Sequence, residues 1–321
     1  MVEGEVFASK PAPGEPWGVI IIGSGPAALT ATIYTTRGAA STLIIGGEKW
    51  GGQLMLTTTV DNWPATPGIQ GPDLMQKMRE HSLMYGAQFV GKNAEGIDVG
   101  KYPFEVLAGG TKHLARSVIV ATGADTKWLD APGIREYIGR GVSSCAPCDA
   151  PFFKGKKVAV VGGGDSAMEE ALTLSKYTLE VTIIHRRDAF RASAAMQKKV
   201  LSDPKIKVLW NTEVKEVVGS QKVEKVVVVD NKTKQTSELI LDGIFIAIGH
   251  VPSTNIFSGK IELDEKGYVS VRDYTKTSVP GIFVAGDVHD YHYKQAITAA
   301  GFGCMAAIDT IKYLEETKAS Y

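Results

Sequence analysis

Two cysteines three residues apart, Cys145 and Cys148, followed at once by the carboxylate of Asp149, are the side chains of this sequence best equipped for chemistry. On a first helical turn that spacing puts both sulfurs on one face, close enough to open and close a disulfide without moving the backbone. If a helix starts here, its dipole and unpaired N–H groups stabilise a thiolate, and Pro147 is tolerated because first-turn donors have no intrahelical partner. Two other uses stay open: half of a zinc site, or two buried structural thiols. Zinc needs four ligands and no second CxxC is present, Cys304 being the remaining cysteine. A partly buried Asp149 beside a thiolate would hold its proton near neutrality and serve as an acid. Otherwise it is a charge favoured by the start of a helix.

Around this pair the chain repeats one syntax. Val19-Ile20-Ile21-Ile22 is an apolar β-branched run, followed by Gly23-Ser24-Gly25-Pro26-Ala27-Ala28 and a helical stretch to Tyr34. Val158-Ala159-Val160-Val161 leads in the same way into Gly162-Gly163-Gly164-Asp165-Ser166-Ala167 and a helical pattern from Met168 to Leu174. Each is strand, glycine turn, helix. The first glycine makes the turn, the second admits a pyrophosphate, and the small residue lets helix and sheet pack closely, so that phosphate rests on N–H groups at the helix start. Purely structural turns are the plainer alternative, and the recurrence of both contexts argues against it.

The residues after each turn separate the ligands. The strand at 181–184 runs into His185-Arg186-Arg187, with Arg191 a turn later and no carboxylate at the ribose position. Guanidinium forks match phosphate oxygens, so this turn should take NADPH rather than NADH, unless the cluster is a solvated basic face. After the strand at 42–45, Ile45 holds the place of the expected acid, and Glu48 comes late as the candidate ribose ligand. Two more strands end in glycine signals, at Ala121-Thr122-Gly123 and at Gly286-Asp287. Ligands lie at the carboxyl ends of parallel strands, where Asp287 would meet a polyol such as a ribityl chain, which points to a flavin dinucleotide, FAD.

Composition narrows the rest. The chain has 321 residues, 44% hydrophobic and 22% charged, with 35 basic residues balancing 35 acidic ones. That is globular, of about two domains, with no overall field to attract nucleic acid or an acidic membrane. No apolar run reaches spanning length. The first seventeen residues carry Glu3, Glu5, Lys10 and three prolines, reading as a loose extension rather than a secretory signal. With so few cysteines a cytoplasmic, reducing setting is expected. His289 and His292 have no further ligand set in the sequence around them and are read as structural. Cys304, among small residues, reads as a packed core thiol. Phe152 and Phe153 beside the cysteines suit either an apolar anchor for a partner or core packing.

Taken together, these residues resemble the low-molecular-weight, bacterial-type thioredoxin reductases of the FAD/NADPH pyridine nucleotide-disulfide oxidoreductase family. The likeness runs from Val19 to Leu314 and includes GSGPAA, GGQL, TTTVDNWP, ATGA, CAPCD, GGGDSAMEEA, HRRDAFRAS, AIGH, TSVPGIFVAGD and YKQAITAAG. It implies an α/β fold of two Rossmann-like domains. An FAD domain, residues 1–125 and 256–321, would be interrupted by an NADPH domain, 126–255, that turns about the two connecting strands. It implies a homodimer, with oxidised thioredoxin as the protein substrate. Electrons would pass from NADPH through FAD to the cysteines, with Cys148 facing the flavin, Cys145 attacking the partner and Asp149 carrying the proton. Ser24, Pro26, Ala27, Gln53, Asn62 and Lys294 would contact FAD, with Gln295 and Ala296 aiming N–H groups at its pyrimidine edge. Ile248, Gly249, His185 and His250 would lie on the NADPH side. Against the family pattern stand Pro147 and Ala150 in the CxxC motif, Lys294 for the usual Arg, and Phe302 for a small residue. They put redox potential and partner preference in question, not reaction type. Three alternatives remain: a reductase of another redoxin or a peroxidase module, a flavin dithiol oxidase, and a redox-sensing flavoprotein. The arginine cluster opposes the second, and the intact CxxC opposes the third.

Overall fold

The computed structural model describes residues 10–57 and 59–318; most of the expected N-terminal extension lies outside them. The chain divides into two compact α/β units, one holding the described residues to Asp125 and from Val251 onward, the other Thr126–His250.

In the first unit the chain runs β1 (Trp17–Ile22), α1 (Pro26–Arg37), β2 (Thr42–Ile45), α2 (Gly71–Leu83), β3 (Gln88–Val90), β4 (Ala94–Asp98), β5 (Phe104–Ala108) and β6 (Thr111–Val120). β7 (Ala124–Thr126) carries it out. In the second unit follow β8 (Val142–Ser143), α3 (Ala146–Asp149), β9 (Lys157–Val161), α4 (Asp165–Ser175), β10 (Glu180–Ile184), α5 (Ala194–Ser202), β11 (Ile206–Leu209), β12 (Thr212–Gly219), β13 (Val223–Asp230), β14 (Thr236–Ile240) and β15 (Gly243–Ile246). β16 (His250–Pro252) leads back, pairing with β7, before β17 (Ile282–Val284) and α6 (Ala296–Lys318) complete the first unit.

The two units are built alike. β1 lies between β2 and β6 with all pairings parallel, β3 extends the sheet beyond β2 and β17 beyond β6. β9 lies likewise between β10 and β15, with β11 and β8 outside them. Each unit adds an antiparallel meander, β4-β5-β6 in one and β12-β13-β14 in the other. β6 serves twice, its first residues in the meander and its last in the parallel sheet. Val19, Ile20 and Ile21 are fully buried, as are Val158, Ala159 and Val160. A central parallel strand covered on both faces reads as an unbroken apolar run for this reason.

Helix α1 keeps to small residues where α6 crosses it. Ala27, Ala28 and Ala31 are buried, and a Cβ on Gly303 would sit 2.1 Å from the Ala27 carbonyl oxygen. Gly301, two residues earlier on α6, faces open space. Gly303→Ala should therefore force the helices apart and cost about 1–3 kcal/mol, whereas Gly301→Ala gains up to about 1 kcal/mol of helix propensity. Thermal melts of the two variants should move in opposite directions; equal melting temperatures would contradict this packing.

Candidate functional site

Both glycine turns solve the same geometric problem with the same hydrogen bonds. The N–H of Gly23 donates to Ile45 at the end of β2 (2.9 Å), and that of Gly162 donates to Ile184 at the end of β10 (3.2 Å). On the other side the N–H groups of Ala121 and Ala247 donate to Ile22 and Val161, the last residues of β1 and β9. Their own carbonyl oxygens press on the glycines: a Cβ would lie 2.1 Å from Ala121 O at Gly23 and 2.5 Å from Ala247 O at Gly162. Both glycines have positive φ, 130° and 154°. The second glycines, Gly25 and Gly164, face nothing within 4 Å. The small third residues, Ala28 and Ala167, are fully buried. A tight turn, an open approach to a helix start and close helix-sheet packing are what a dinucleotide phosphate requires.

In the first unit Ser24 is buried and ties the turn inward, donating to Gly46 O (2.6 Å) and accepting from Gly51 N (3.0 Å). Thr122 donates to Ser253 O, and Gly123 takes a positive φ. Gln53 donates to Asp125, and Asn62 donates to the Gln295 side chain (3.2 Å), all on the surface. Glu48 is exposed and ion-paired with Lys92 at 3.3 Å. The Gln295 N–H bonds to Thr298 Oγ1, and α6 begins at Ala296.

Asp287 follows β17 and Gly286. Its Oδ1 is shut off from solvent with no hydrogen-bond partner among the described residues. Burial first, then the Asp290 carboxylate, push its pKa up to about 7, against a smaller opposite pull from Lys294. A buried acceptor with no donor is what a hydroxyl-bearing ligand would satisfy. Asp290 is occupied in capping the following turn, accepting from the N–H groups of His292, Tyr293 and Lys294, the last at φ 48°. His289 stacks edge-on against Phe302 at 4.5 Å, and burial holds its pKa down at about 4. No cluster of three metal-ligating side chains exists among the described residues.

In the second unit Arg186, Arg187 and Arg191 are exposed beyond β10, and none forms an ion pair with a described carboxylate. His185 lies underneath: 5% exposed, it bonds to Ala189 O (3.0 Å), packs against Phe190 and Trp210, and fills the space a Gly163 side chain would need. Burial lowers its pKa. Asp165, at the start of α4, accepts from the N–H and hydroxyl of Ser193. Ser166 is exposed beside it, and Ile248 and Gly249 follow β15 half-buried.

The cysteines form a disulfide, with Cα atoms 5.3 Å apart, across the short helix α3. A helix does start here, as the spacing suggests, but its donors are not unpaired. Cys145 N bonds to Ser143 Oγ (3.1 Å), Ala146 N to a Glu170 carboxylate oxygen, and Cys148 N and Asp149 N both to Cys145 O (3.2 and 3.1 Å); Pro147 has no N–H. Ser143 also donates to Asp149 Oδ2 at 2.6 Å. Burial raises the Asp149 pKa and this bond draws it partly back. Ser143 and Glu170 carry no sequence signal of these roles; only the fold brings β8 and α4 to the turn. Of the neighbouring aromatics, Phe153 is core, edge-on to Phe245 at 5.2 Å, whereas Phe152 is 41% exposed. Cys304 is half-buried rather than a core thiol, and it lies close enough to the exposed Tyr34 to raise that phenol's pKa.

The model of the pyridine nucleotide-disulphide oxidoreductase family matches residues 17–303. This chain belongs to that family. A thioredoxin reductase of Rickettsia felis is 46% identical over 304 residues, 93% of this chain and 98% of that one. One from Streptomyces clavuligerus is 48% identical over 300 residues, 92% and 93% of the two chains. The solved thioredoxin reductase of Giardia duodenalis superposes with a TM-score of 0.90 at 39% identity, covering 94% of this chain and 99% of that one. The protein is thus an oxidoreductase of the thioredoxin reductase group. No helix among the described residues is long and apolar enough to cross a membrane.

Asp287 gives a pH signature. Its pKa is raised in the fold, so its protonated form stabilises the ligand-free protein at low pH, and that contribution is lost as pH rises from about 4 to about 7. At about 1.4 kcal/mol per pK unit the loss amounts to a few kcal/mol. Ligand-free Asp287→Asn should be more stable than wild type at pH 8, with the gap closing by pH 4. Parallel stability curves in urea would show that Asp287 is not the group.

Proposed function

We propose that this protein is a thioredoxin-disulfide reductase that passes electrons from NADPH through FAD and the Cys145–Cys148 pair to oxidised thioredoxin. The observation that carries the reading is the disulfide lying in its own hydrogen-bonded turn, beside a carboxyl of raised pKa, in a chain with two dinucleotide-type turns. FAD would be held in the first unit by Gly23, Ser24, Gly25, Pro26 and Ala27, by the 121–123 turn, and by Asp287, whose orphaned oxygen suits a ribityl hydroxyl. Gln53, Asn62, Lys294, Gln295 and Ala296 would complete that side. NADPH would be held at Gly162, Gly163, Gly164, Asp165 and Ser166, with Ile248 and Gly249 beside them. The unpaired guanidinium groups of Arg186, Arg187 and Arg191 would hold its ribose phosphate. The residues present fit both groups, which supply a two-electron hydride route when bound.

What the protein's own residues then do is exchange chemistry. Two electrons and two protons open the Cys145–Cys148 bond to two thiols. Asp149, held by Ser143, is the group that gives and takes a proton at the sulfurs. Cys145, deprotonated, attacks the disulfide of the partner. Cys148 attacks the mixed disulfide that forms, releasing the partner as a dithiol and restoring the starting bond. A cytoplasmic setting goes with this cycle, which needs reducing surroundings. A homodimer also goes with it: Ile297, Met305 and Ile308, 46%, 37% and 56% exposed, follow one another along one side of α6 and suit a second copy. Ile308→Lys should halve the mass seen by light scattering; an unchanged mass would remove that face from consideration.

The deciding assay is NADPH oxidation by the yellow holoprotein with and without thioredoxin. Turnover should need thioredoxin and vanish in Cys145→Ser. Arg186→Ala and Arg187→Ala should each raise KM for NADPH about tenfold and leave KM for NADH nearly unchanged. If NADPH bleaches the flavin while thioredoxin stays oxidised, the protein substrate is a different redoxin. Failure to bleach would overturn the whole reading.

A further inference from the structure

Glu170 lies outside the CxxC motif, 22 residues beyond Cys148, yet its carboxylate accepts the N–H of Ala146, the amide that follows Cys145. That contact joins α4 to α3 within one unit and concerns neither dinucleotide. It puts a negative charge where a short helix start would otherwise offer a free donor. With Cys145 N on Ser143 and the amides of Cys148 and Asp149 on Cys145 O, no backbone donor of the turn is left over for a sulfur anion. The turn carries the carboxylate of Asp149, and α4, packed against it, carries those of Asp165, Glu169 and Glu170, with Asp165 engaged by Ser193; neither helix carries a Lys or Arg.

We propose that Glu170 is a positioning residue that sets the reducing strength of the dithiol, by claiming the Ala146 amide and opposing negative charge on Cys145. The disulfide carries no charge and is indifferent to the carboxylate. The reduced pair forms a thiolate, which the carboxylate disfavours by Coulomb repulsion and by withholding the amide. The disulfide is favoured relative to the thiolate, so electrons leave the pair more readily toward a partner. The inference rests on the redox role given to the two cysteines above.

The test is a redox equilibrium of the holoprotein against dithiothreitol. In that exchange two electrons and two protons pass to the protein, opening the Sγ–Sγ bond to two thiols while the reagent closes to its cyclic disulfide. The state of the cysteines is read by alkylation and mass. Glu170→Gln keeps an acceptor and removes the charge, and should shift the equilibrium about threefold to tenfold toward the dithiol at pH 8. Glu170→Ala also frees the amide and should shift it further. At pH 6, with fewer thiolates, both shifts should shrink, which a merely structural defect would not do. The alkylation rate of Cys145 should reach its thiolate plateau at lower pH in both variants, whereas Glu169→Gln should leave it in place. In the wild type, the Ala146 amide should exchange slowly with deuterium while the disulfide is intact. A Glu170→Gln equilibrium equal to wild type at pH 8, or an Ala146 amide exchanging as fast as an open one, would overturn the proposal. Failure of the redox reading itself looks different: the wild-type disulfide would then not be reduced by NADPH at all.

Discussion

Everything in this chain hangs on the fit between a strand end and the neighbouring backbone at Gly23 and again at Gly162. In each unit the central strand must hand the chain to a helix within three residues while the next parallel strand passes its own carbonyl across the turn. The Ala121 and Ala247 oxygens come so near that any side chain would collide with them. A glycine at positive φ is the residue that resolves this. Once it does, the helix start opens outward, the small third residue seats the helix on the sheet, and the ends of the adjoining strands are gathered at one edge. The positions of Asp287, of Gly123 and of the basic cluster after β10 follow from that constraint.

The same edge explains why polar groups at the two turns differ in kind. In the first unit the strand after the turn ends at Ile45, where an acid is expected, and the nearest carboxylate is Glu48, which the surface lysine Lys92 claims. The carboxylate buried at this edge is Asp287, whose Oδ1 has no donor among the described residues and whose pKa burial and the Asp290 charge push up to about 7. In the second unit the burial falls on His185, which fills the space beneath Gly163, where burial lowers its pKa, and leaves the arginines beyond it to the solvent. One architecture thus presents a buried acceptor in one unit and exposed cations in the other.

Much of this was open to inspection in the sequence, for a physical reason. Strands buried on both faces are unbroken apolar runs, so β1, β9, β10 and the end of β6 announce themselves, and the glycines mark where each stops. The pairings that need long-range contact do not announce themselves. Nothing in residues 94–120 or 212–240 says that each forms an antiparallel meander, since their alternation is shared by many exposed strands. Phe152 and Phe153 look equivalent on paper, and only the placement of Phe245 sends one inward and leaves the other outside. Cys304 sits among small residues as a core thiol would, yet α6 turns it partly outward toward Tyr34.

The redox turn shows the limit most clearly. Spacing alone establishes that two sulfurs share a face, and from the helix start alone one would infer free N–H groups and an easily formed thiolate. The structure changes the premise, because tertiary partners reach the amides first: a serine two residues upstream and a glutamate from α4, the helix after β9. A local motif fixes which atoms react, whereas the electrostatics around them belong to the fold. A CxxC turn with its donors already committed offers a sulfur anion fewer backbone hydrogen bonds than an open helix start would. If Glu170 acts as proposed, such a pair would pass its electrons on rather than retain them, which is what a reductase placed upstream of another dithiol protein requires.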